Sequence, residues 1–420
     1  MHRVVLLLLI LACSAEEARG PAPGVPLPEE IKAALAPLEE ELMGALSGMD
    51  AVAARSVCER MTEAMGPWAG TPEVAYRFWA PLERKTPDMA ALWRLWGETE
   101  THTMKEIVWD ALPDGNPARL PNGMRLAGRP VIAFARVSGL RPEERDRYLE
   151  LVKKGADWLL DRQRPDGLFP FPDIRGRHKL FTPLAERVLE RNPNAIVDGW
   201  IVDDAGEGHL KYDNAIAGVA LAEAHAVTGD PRYLAGARRA CEWALTQPLC
   251  DNWNYNAFSV WLLARVARET GDPALLEGSV TRCLAGVMPG QMADGRWLDP
   301  HNARMVYHGI LVRGILEVWL ALPDEDPRKQ SIRDSVVRAL DAASALVMGK
   351  GAFRENGASS NSTMTESFSR ALMHLGPKPN WEEALSININ AGLHILKDHG
   401  APFVNLYLAD YLAYRAVAPQ

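Results

Sequence analysis

The sequence is poor in anything that reads as β-structure. Sustained period-two alternation is scarce, and no Asn-Gly pair joins two runs of β-branched or aromatic residues. A sheet is therefore excluded as the main architecture. The chain also lacks a basic face, since 46 Lys and Arg are outweighed by 54 Asp and Glu, for a net charge of −8. Nucleic acid needs a clustered positive surface, so it is excluded as a partner. Only five cysteines occur in 420 residues, none in a CxxC or CxxH spacing, which leaves no zinc framework. No acidic spacing demands calcium or another metal, and nothing calls for a cofactor. Long apolar runs are missing too. The only one, Val4–Ala12, falls short of the about 20 residues that span a bilayer.

That run follows Met1-His2-Arg3, and a charged start before a short apolar core reads as a secretory signal peptide over residues 1–19. It closes at Ile10-Leu11-Ala12-Cys13-Ser14, which resembles the lipobox of bacterial lipoproteins. The resemblance implies that Cys13 is lipidated and becomes the mature N-terminus. It further implies an exported protein, periplasmic or at the cell surface, that meets a membrane only through this lipid. The alternative is an ordinary signal peptide that happens to contain a cysteine. Residues 20–28 are rich in Gly and Pro, a composition suited to a tether. Cys58, Cys241, Cys250 and Cys283 remain. They allow three pairings, but Cys241 and Cys283 lie inside helical patterns, which favours buried free thiols.

Helical periodicity fills the rest. Apolar residues recur at three- and four-residue spacing over Glu29–Leu46, Asp50–Met65, Met89–Ala111, Glu143–Asp161, Ile216–Thr228 and Arg232–Thr246. The pattern continues over Phe258–Thr270, Ala274–Val287, Ala303–Ala321, Ser331–Met348, Glu366–Leu375 and Val404–Arg415. The centre of the chain repeats itself. Tyr212-Asp213-Asn214-Ala215 opens a unit that Thr228-Gly229-Asp230-Pro231 divides, and Tyr255-Asn256-Ala257 opens the next, divided by Thr270-Gly271-Asp272-Pro273. The offset is 42 residues from Asn214 to Asn256 and again from Thr228 to Thr270. His301-Asn302-Ala303 opens a third unit, and Asn390-Ala391 is a candidate fourth. In the divider, Gly ends one helix in a left-handed cap, Asp caps the next, and Pro suits its first turn. Helical hairpins at a fixed period make a solenoid or a closed ring. N-capping alone accounts for Asn214, Asn256 and Asn302.

The stretch Tyr212-Asp213-Asn214-Ala215, Thr228-Gly229-Asp230-Pro231-Arg232-Tyr233-Leu234 and Trp243 resembles the α/α-toroid carbohydrate-active enzymes. These include six-hairpin glycosidases, sugar epimerases and toroid polysaccharide lyases. The likeness is clearest from Arg129 to Leu322. It implies an all-α fold, an α/α toroid of about six inner and six outer helices, with the N-terminal helices of residues 29–128 completing or capping a ring over 129–420. It also implies a carbohydrate substrate held at the mouth where the inner helices begin. No one family's catalytic motif matches residue by residue. Gln163-Arg164-Pro165-Asp166-Gly167-Leu168-Phe169 is similar to the glutamine-rich turn of terpenoid-cyclase and prenyltransferase toroids. Asp203-Asp204 alone is a poor substitute for the Asp-rich motif that such chemistry needs.

On that architecture four loops open on one mouth, residues 164–178, 198–213, 251–256 and 294–304. Aromatic faces stack on pyranose rings while polar groups take the hydroxyls. Phe171, Arg175, Trp200, Asp213, Asn214, Trp253, Asn254, Tyr255, Asn256 and Trp297 are thus the candidate substrate contacts. With 13 Trp in the chain, their clustering is more informative than any one of them. Two chemistries fit. Glycoside hydrolysis needs two carboxylates, for which Asp203, Asp204, Glu207 and Asp213 supply one side and Asp251, Asp294 or Asp299 the other. Asp213 equally suits a helix cap, and Asp294-Gly295 a turn. Uronate β-elimination needs a group to neutralise the carboxylate and a Tyr or His to remove the C5 proton. His301, Asn302, Arg304, Tyr307 and His308 form the densest polar cluster, and a helix puts Arg304, Tyr307 and His308 on one face. Hydrolysis is the leading reading, elimination the second, and a non-catalytic glycan-binding or scaffold lipoprotein the third.

Overall fold

The computed structural model describes residues 21–78, 84–107, 109, 123–173, 175, 181–351, 353–355, 361–399 and 404–418. Fifteen helices lie among them. In chain order they are α1 (Glu29–Ser47), α2 (Ala51–Met65), α3 (Met89–Glu106), α4 (Met124–Ser138), α5 (Arg145–Leu160), α6 (Phe181–Arg191), α7 (Leu210–Thr228) and α8 (Pro231–Thr246). They continue as α9 (Trp253–Thr270), α10 (Pro273–Gly286), α11 (Met305–Ala321), α12 (Lys329–Lys350), α13 (Asn361–Leu375), α14 (Pro379–His399) and α15 (Val404–Val417). No helix among the described residues is long and apolar enough to cross a membrane.

Helices α4, α7, α9, α11, α13 and α15 touch in that order, and α15 returns to α4. The ring is closed. Each of α5, α8, α10, α12 and α14 packs outside the inner helix before it, and α3 fills the sixth outer place behind α15. The α1–α2 hairpin sits on the edge, with α2 against α10. Burial explains which helix goes where. Inner α7 is buried almost without break from Leu210 to Ala224, as a helix enclosed on all sides must be. Outer α8 buries one stripe, Tyr233, Gly236, Ala237, Ala240, Cys241 and Ala244, and leaves the other face wet.

The repeat turns fold as their residues dictate. Gly229 and Gly271 end α7 and α9 with φ of 72° and 67°. Asp230 accepts from the Arg232 amide at 2.9 Å and Asp272 from that of Ala274 at 2.9 Å, and Pro231 and Pro273 open the outer helices. Each such cap stabilises its helix by about 1 kcal/mol. Two expectations fail. Arg129, taken as the start of the ring, lies inside α4, because Pro130 within that helix breaks the sequence pattern without ending the helix. Asn390 opens no fourth unit, because it lies inside outer helix α14.

The axis of the ring is filled with charge. Arg136 of α4, Glu223 of α7, Arg265 of α9, Glu317 of α11, Arg370 of α13 and Asp410 of α15 alternate in sign around it, one per inner helix. Arg136 bonds Asp410 and Arg370 bonds Glu317. Arg265 reaches Glu223 at 3.1 Å, and Arg268 joins Glu317 at 2.5 Å. Burial alone raises a carboxyl pKa, yet Arg265 and Arg136 bring Glu223 down to about 2. In α4, α7, α9 and α11 this layer lies about 18 Å below the helix starts at 1.5 Å per residue. It closes the bottom of the ring and leaves the opposite end as the place for a cleft.

Short strands frame that end. β1 (Tyr76–Phe78), β2 (Phe171–Pro172), β3 (Ile196–Val197), β4 (Trp200–Ile201) and β5 (Phe353–Glu355) form two small antiparallel sheets, β1–β5 and β2–β4–β3. In the second, Trp200 stands opposite Pro172 and Val197.

Candidate active site

The first turns of the inner helices bring together groups from distant parts of the chain. Asp213, in the first turn of α7, is fully buried. Its Oδ2 accepts from Arg125 Nε at 3.1 Å and Nη2 at 2.9 Å, so α4 and α7 are joined at their mouth ends. Its Oδ1 has no hydrogen-bond partner among the described residues. Burial pushes the Asp213 carboxyl up, and Arg125 opposes that only in part. The Arg125 guanidinium lies 3.9 Å from the centre of the Tyr212 ring, and Tyr212 stacks on Phe258 of α9 at 4.0 Å. Arg129, one turn deeper in α4, donates to the Tyr212 hydroxyl. Tyr255 of α9 is an electrostatic neighbour of Arg125, Asp213 and Tyr307, and burial raises its hydroxyl.

His209 stands just before α7 and is 2 % exposed. Neither of its ring nitrogens has a partner among the described residues, and Nδ1 is 3.9 Å from Asp204. Burial lowers its pKa, against the opposing charges of Asp204 and Asp213. His209 and Asp213 are four residues apart, on one face of the helix start. The loop before them is shaped by Gly208, at φ 85°, where a Cβ would lie 2.6 Å from the Cys250 sulfur.

A second cluster adjoins the first. The His301 ring stacks on Tyr307 at 4.2 Å, and its Nδ1 contacts Glu73 at 2.8 Å. Arg304 donates to the same carboxylate at 3.2 Å and lies 4.8 Å from the Tyr307 ring centre. The His301 hydrogen bond is the main reason that Glu73 titrates below the usual range.

With this geometry in hand, the chain can be compared with known proteins. By sequence it matches no family model and no curated protein. Among solved structures it is similar to a glycosyl hydrolase family 88 protein from Bacteroides vulgatus, at 12 % identity and TM-score 0.50, over 78 % of this chain and 98 % of that one. It is also similar to a sugar epimerase from a ruminal bacterium, at 13 % identity and TM-score 0.49, over 71 % and 88 %. A cellobiose 2-epimerase from Spirochaeta thermophila aligns at 12 % identity and TM-score 0.48, over 78 % and 98 %. The fold is the α/α toroid. At such identities the likeness is one of architecture, and one architecture hosts many chemistries.

The toroid separates the sequence candidates into mouth and scaffold. Asp213, Tyr255 and Tyr307 meet at the mouth, and Phe171 lies below Arg125 at 5.3 Å. Asp204 accepts from the Gly206 and Leu210 amides and so holds the entry to α7. Asp203 bonds Asn192 and the Ala205 amide, and Glu207 pairs with Arg191 at 2.7 Å. Arg175 is engaged by its neighbour Asp173. Asn214 and Asn256 are not caps. They lie inside α7 and α9 and strap adjacent hairpins, Asn214 to Ala240 and Phe169, Asn256 to Gly286 and Cys250. Asn302 accepts from Asn254 and donates to Asp299 and Asn252, which ties two loops together. Trp253 and Trp297 are buried, the first against Gly290 and the second donating to the Val287 carbonyl. Cys13 lies outside the described residues.

His308 corrects the expected polar face. It points between α11 and α12, where Nε2 donates to the Ala339 carbonyl at 2.8 Å, away from Tyr307 and the mouth. Full burial drives its pKa down to about 4. Between about pH 4 and 6.5 the unfolded chain binds a proton that the fold does not, so acidification lowers stability, on the order of 3 kcal/mol. Urea unfolding across that window should show a shallower pH slope for His308→Gln than for the wild type. Equal slopes would mean that His308 titrates normally.

Gln163 also proves to be scaffold. Its amide donates to Gly167 and Gly236, while its oxygen accepts from Arg239. Gln291 does the same with Gly295, Ser335 and Arg338. The two Gln-x-x-Asp-Gly turns each pin a mouth loop to an outer helix. Arg125, Arg129 and Glu73 escape sequence reading. The four-residue spacing of Arg125 and Arg129 was a signal, hidden because α4 contains Pro130. Glu73 had none, since it meets His301 only through the fold.

Proposed function

We propose that the protein is a carbohydrate-active enzyme that cleaves a glycosidic bond at the toroid mouth, with Asp213 as proton donor. The observation that carries this is a fully buried carboxyl at the start of an inner helix, raised by burial and with one oxygen that has no hydrogen-bond partner among the described residues. Raising a carboxyl favours its protonated form, the form that can deliver a proton to the bridging oxygen as the carbon–oxygen bond breaks. Hydrolysis then needs a second carboxylate to take a proton from the attacking water. Asp204, buried beside His209 before the same helix, is assigned that role in addition to holding the entry to α7. Tyr255 and Tyr307 offer the sugar hydroxyls at the same mouth, while Tyr212, held between Arg125 and Phe258, fixes the guanidinium beside Asp213.

A second reading rests on the Glu73–His301–Tyr307–Arg304 cluster. There Tyr307 removes the C5 proton of a uronate, with Arg304 beside its ring to favour the phenolate. The electrons form the C4–C5 double bond, the C4–O bond breaks, and the leaving oxygen takes a proton from Asp213. Export as a lipoprotein through Cys13 belongs to the same proposal, and it confines the substrate to glycans outside the cytoplasm.

A panel of neutral and uronate glycans separates the readings. Hydrolysis releases reducing ends without new ultraviolet absorbance. Elimination releases them together with the absorbance of an unsaturated uronate. Neither signal from any glycan would contradict both enzymatic readings.

A further inference from the structure

We infer that a second sugar subsite lies beside the mouth, between the α1–α2 hairpin and the loops before α9 and α11, and that it takes one uncharged hexose residue. The inference rests on the carbohydrate reading above and extends it from one sugar to a chain.

A cavity of about 260 Å³ opens there. It falls just below the roughly 300–1,000 Å³ of pockets that hold drug-sized ligands, a size for a single ring. Leu42 and Met61 from the hairpin give it an apolar wall, and Glu39, Asp251, Asp299 and His301 are among its polar lining, beside two asparagines. His301 is also the wall shared with the mouth, because its other neighbour is the Tyr307 ring at 4.2 Å. A chain reaching out of the mouth past Tyr307 therefore meets this cavity next.

The lining says what it accepts. Asp299 Oδ1 is engaged by the Asn302 amide at 2.8 Å and side chain at 3.0 Å, but its buried Oδ2 has no partner among the described residues. An open buried carboxylate oxygen is costly unless a ligand or water donates to it. Three carboxylates make the cavity a collection of acceptors, which suits the hydroxyl donors of a sugar. The same three repel a uronate carboxylate. The α1–α2 hairpin thus does more than cover the edge of α10. It builds one side of a cleft.

The test is calorimetry on the full chain, carrying Asp213→Asn so that cleavage is slow on the time scale of the titration. Probes are gluco-, galacto- and manno-oligosaccharides of one to four residues, with uronate-extended counterparts. In a series that binds, one added neutral residue should tighten binding about tenfold. Glu39→Trp, which fills the cavity, and Asp251→Ala, which removes an acceptor, should each reduce that increment to below about threefold. Both residues are exposed, and a melting curve checks folding. If Glu39→Trp folds poorly, Asp251→Ala still decides. An increment unchanged in the folded variants overturns the subsite while leaving the carbohydrate reading intact. A uronate favoured over a neutral residue at that step overturns the assignment of ligand class. Absence of binding by every saccharide overturns the carbohydrate reading, and the subsite with it.

Discussion

Asp213→Asn should lower kcat by roughly two to four orders of magnitude, the usual contribution of a positioned general acid. Its effect on KM should be small. Asn keeps the shape and still offers Arg125 an oxygen in place of the one that accepts at 2.9 Å, but it cannot donate an acidic proton. The pH profile carries the sharper signature. Burial raises the Asp213 carboxyl, and only its protonated form can act, so wild-type activity should fall as pH rises through that raised value. In the variant that alkaline limb should vanish from the residual rate. A purely structural Asp213 would give the opposite result, a loss of melting temperature with little change in the rate of the surviving folded enzyme.

The second large effect concerns stability. Glu317 is completely buried and holds Arg268 and Arg370. Arg268 is 37 % exposed at its side chain and can return to water, whereas Arg370 is 9 % exposed and cannot. Glu317→Leu removes the carboxylate that this guanidinium bonds and leaves it only the more distant charges of Asp410, Glu366 and Glu223, a loss of about 3–5 kcal/mol. The paired variant Glu317→Leu/Arg370→Leu removes both charges and should recover much of the loss. Chemical denaturation of the three proteins at one pH measures this. A single variant within about 1 kcal/mol of the wild type would mean that the axial charges are not coupled. The alternating order makes coupling the natural outcome, since every charge in the layer stands between two of opposite sign. It also shows why the toroid does not need an apolar axis: six helices in a ring leave a centre too wide for small side chains, and long paired ones fill it.

Much of this architecture is legible in the sequence. The turns at Gly229-Asp230-Pro231 and Gly271-Asp272-Pro273 fold as their chemistry requires, and the 42-residue offset marks successive hairpins of the ring. Helix α4 is harder to read, because Gly128 and Pro130 interrupt a pattern that packing completes. Helix α14 escapes for another reason: it begins at Pro379, and Asn390 within it looks like a repeat landmark. Local propensity is overridden in both cases by burial against neighbours far along the chain.

The candidate site is legible in outline and misleading in detail. The loops that sequence assigns to one mouth do contain Asp213 and Tyr255, and Tyr307 follows the last of them in the first turn of α11. The repeated Asn residues, however, owe their positions to straps between hairpins rather than to a ligand or a cap. A repeat landmark in a ring is first of all a joint. His308 shows the same limit from the other side. Helical spacing places it near Tyr307, but an inner helix is buried on every face, so neighbours in spacing can serve opposite walls. Asp213 is separated from its partner Arg125 by 88 residues, and Glu73 from His301 by 228. No local pattern connects such pairs.

The proposed cut falls where Asp213 meets Arg125 at the mouth of the ring. Its most direct test is a structure of the Asp213→Asn variant soaked with the glycan that the panel identifies. The scissile oxygen is expected within about 3 Å of the residue 213 side chain, with the flanking sugars against Tyr255 and Tyr307. A glycan bound elsewhere, with the Asp213 side chain untouched, would contradict it.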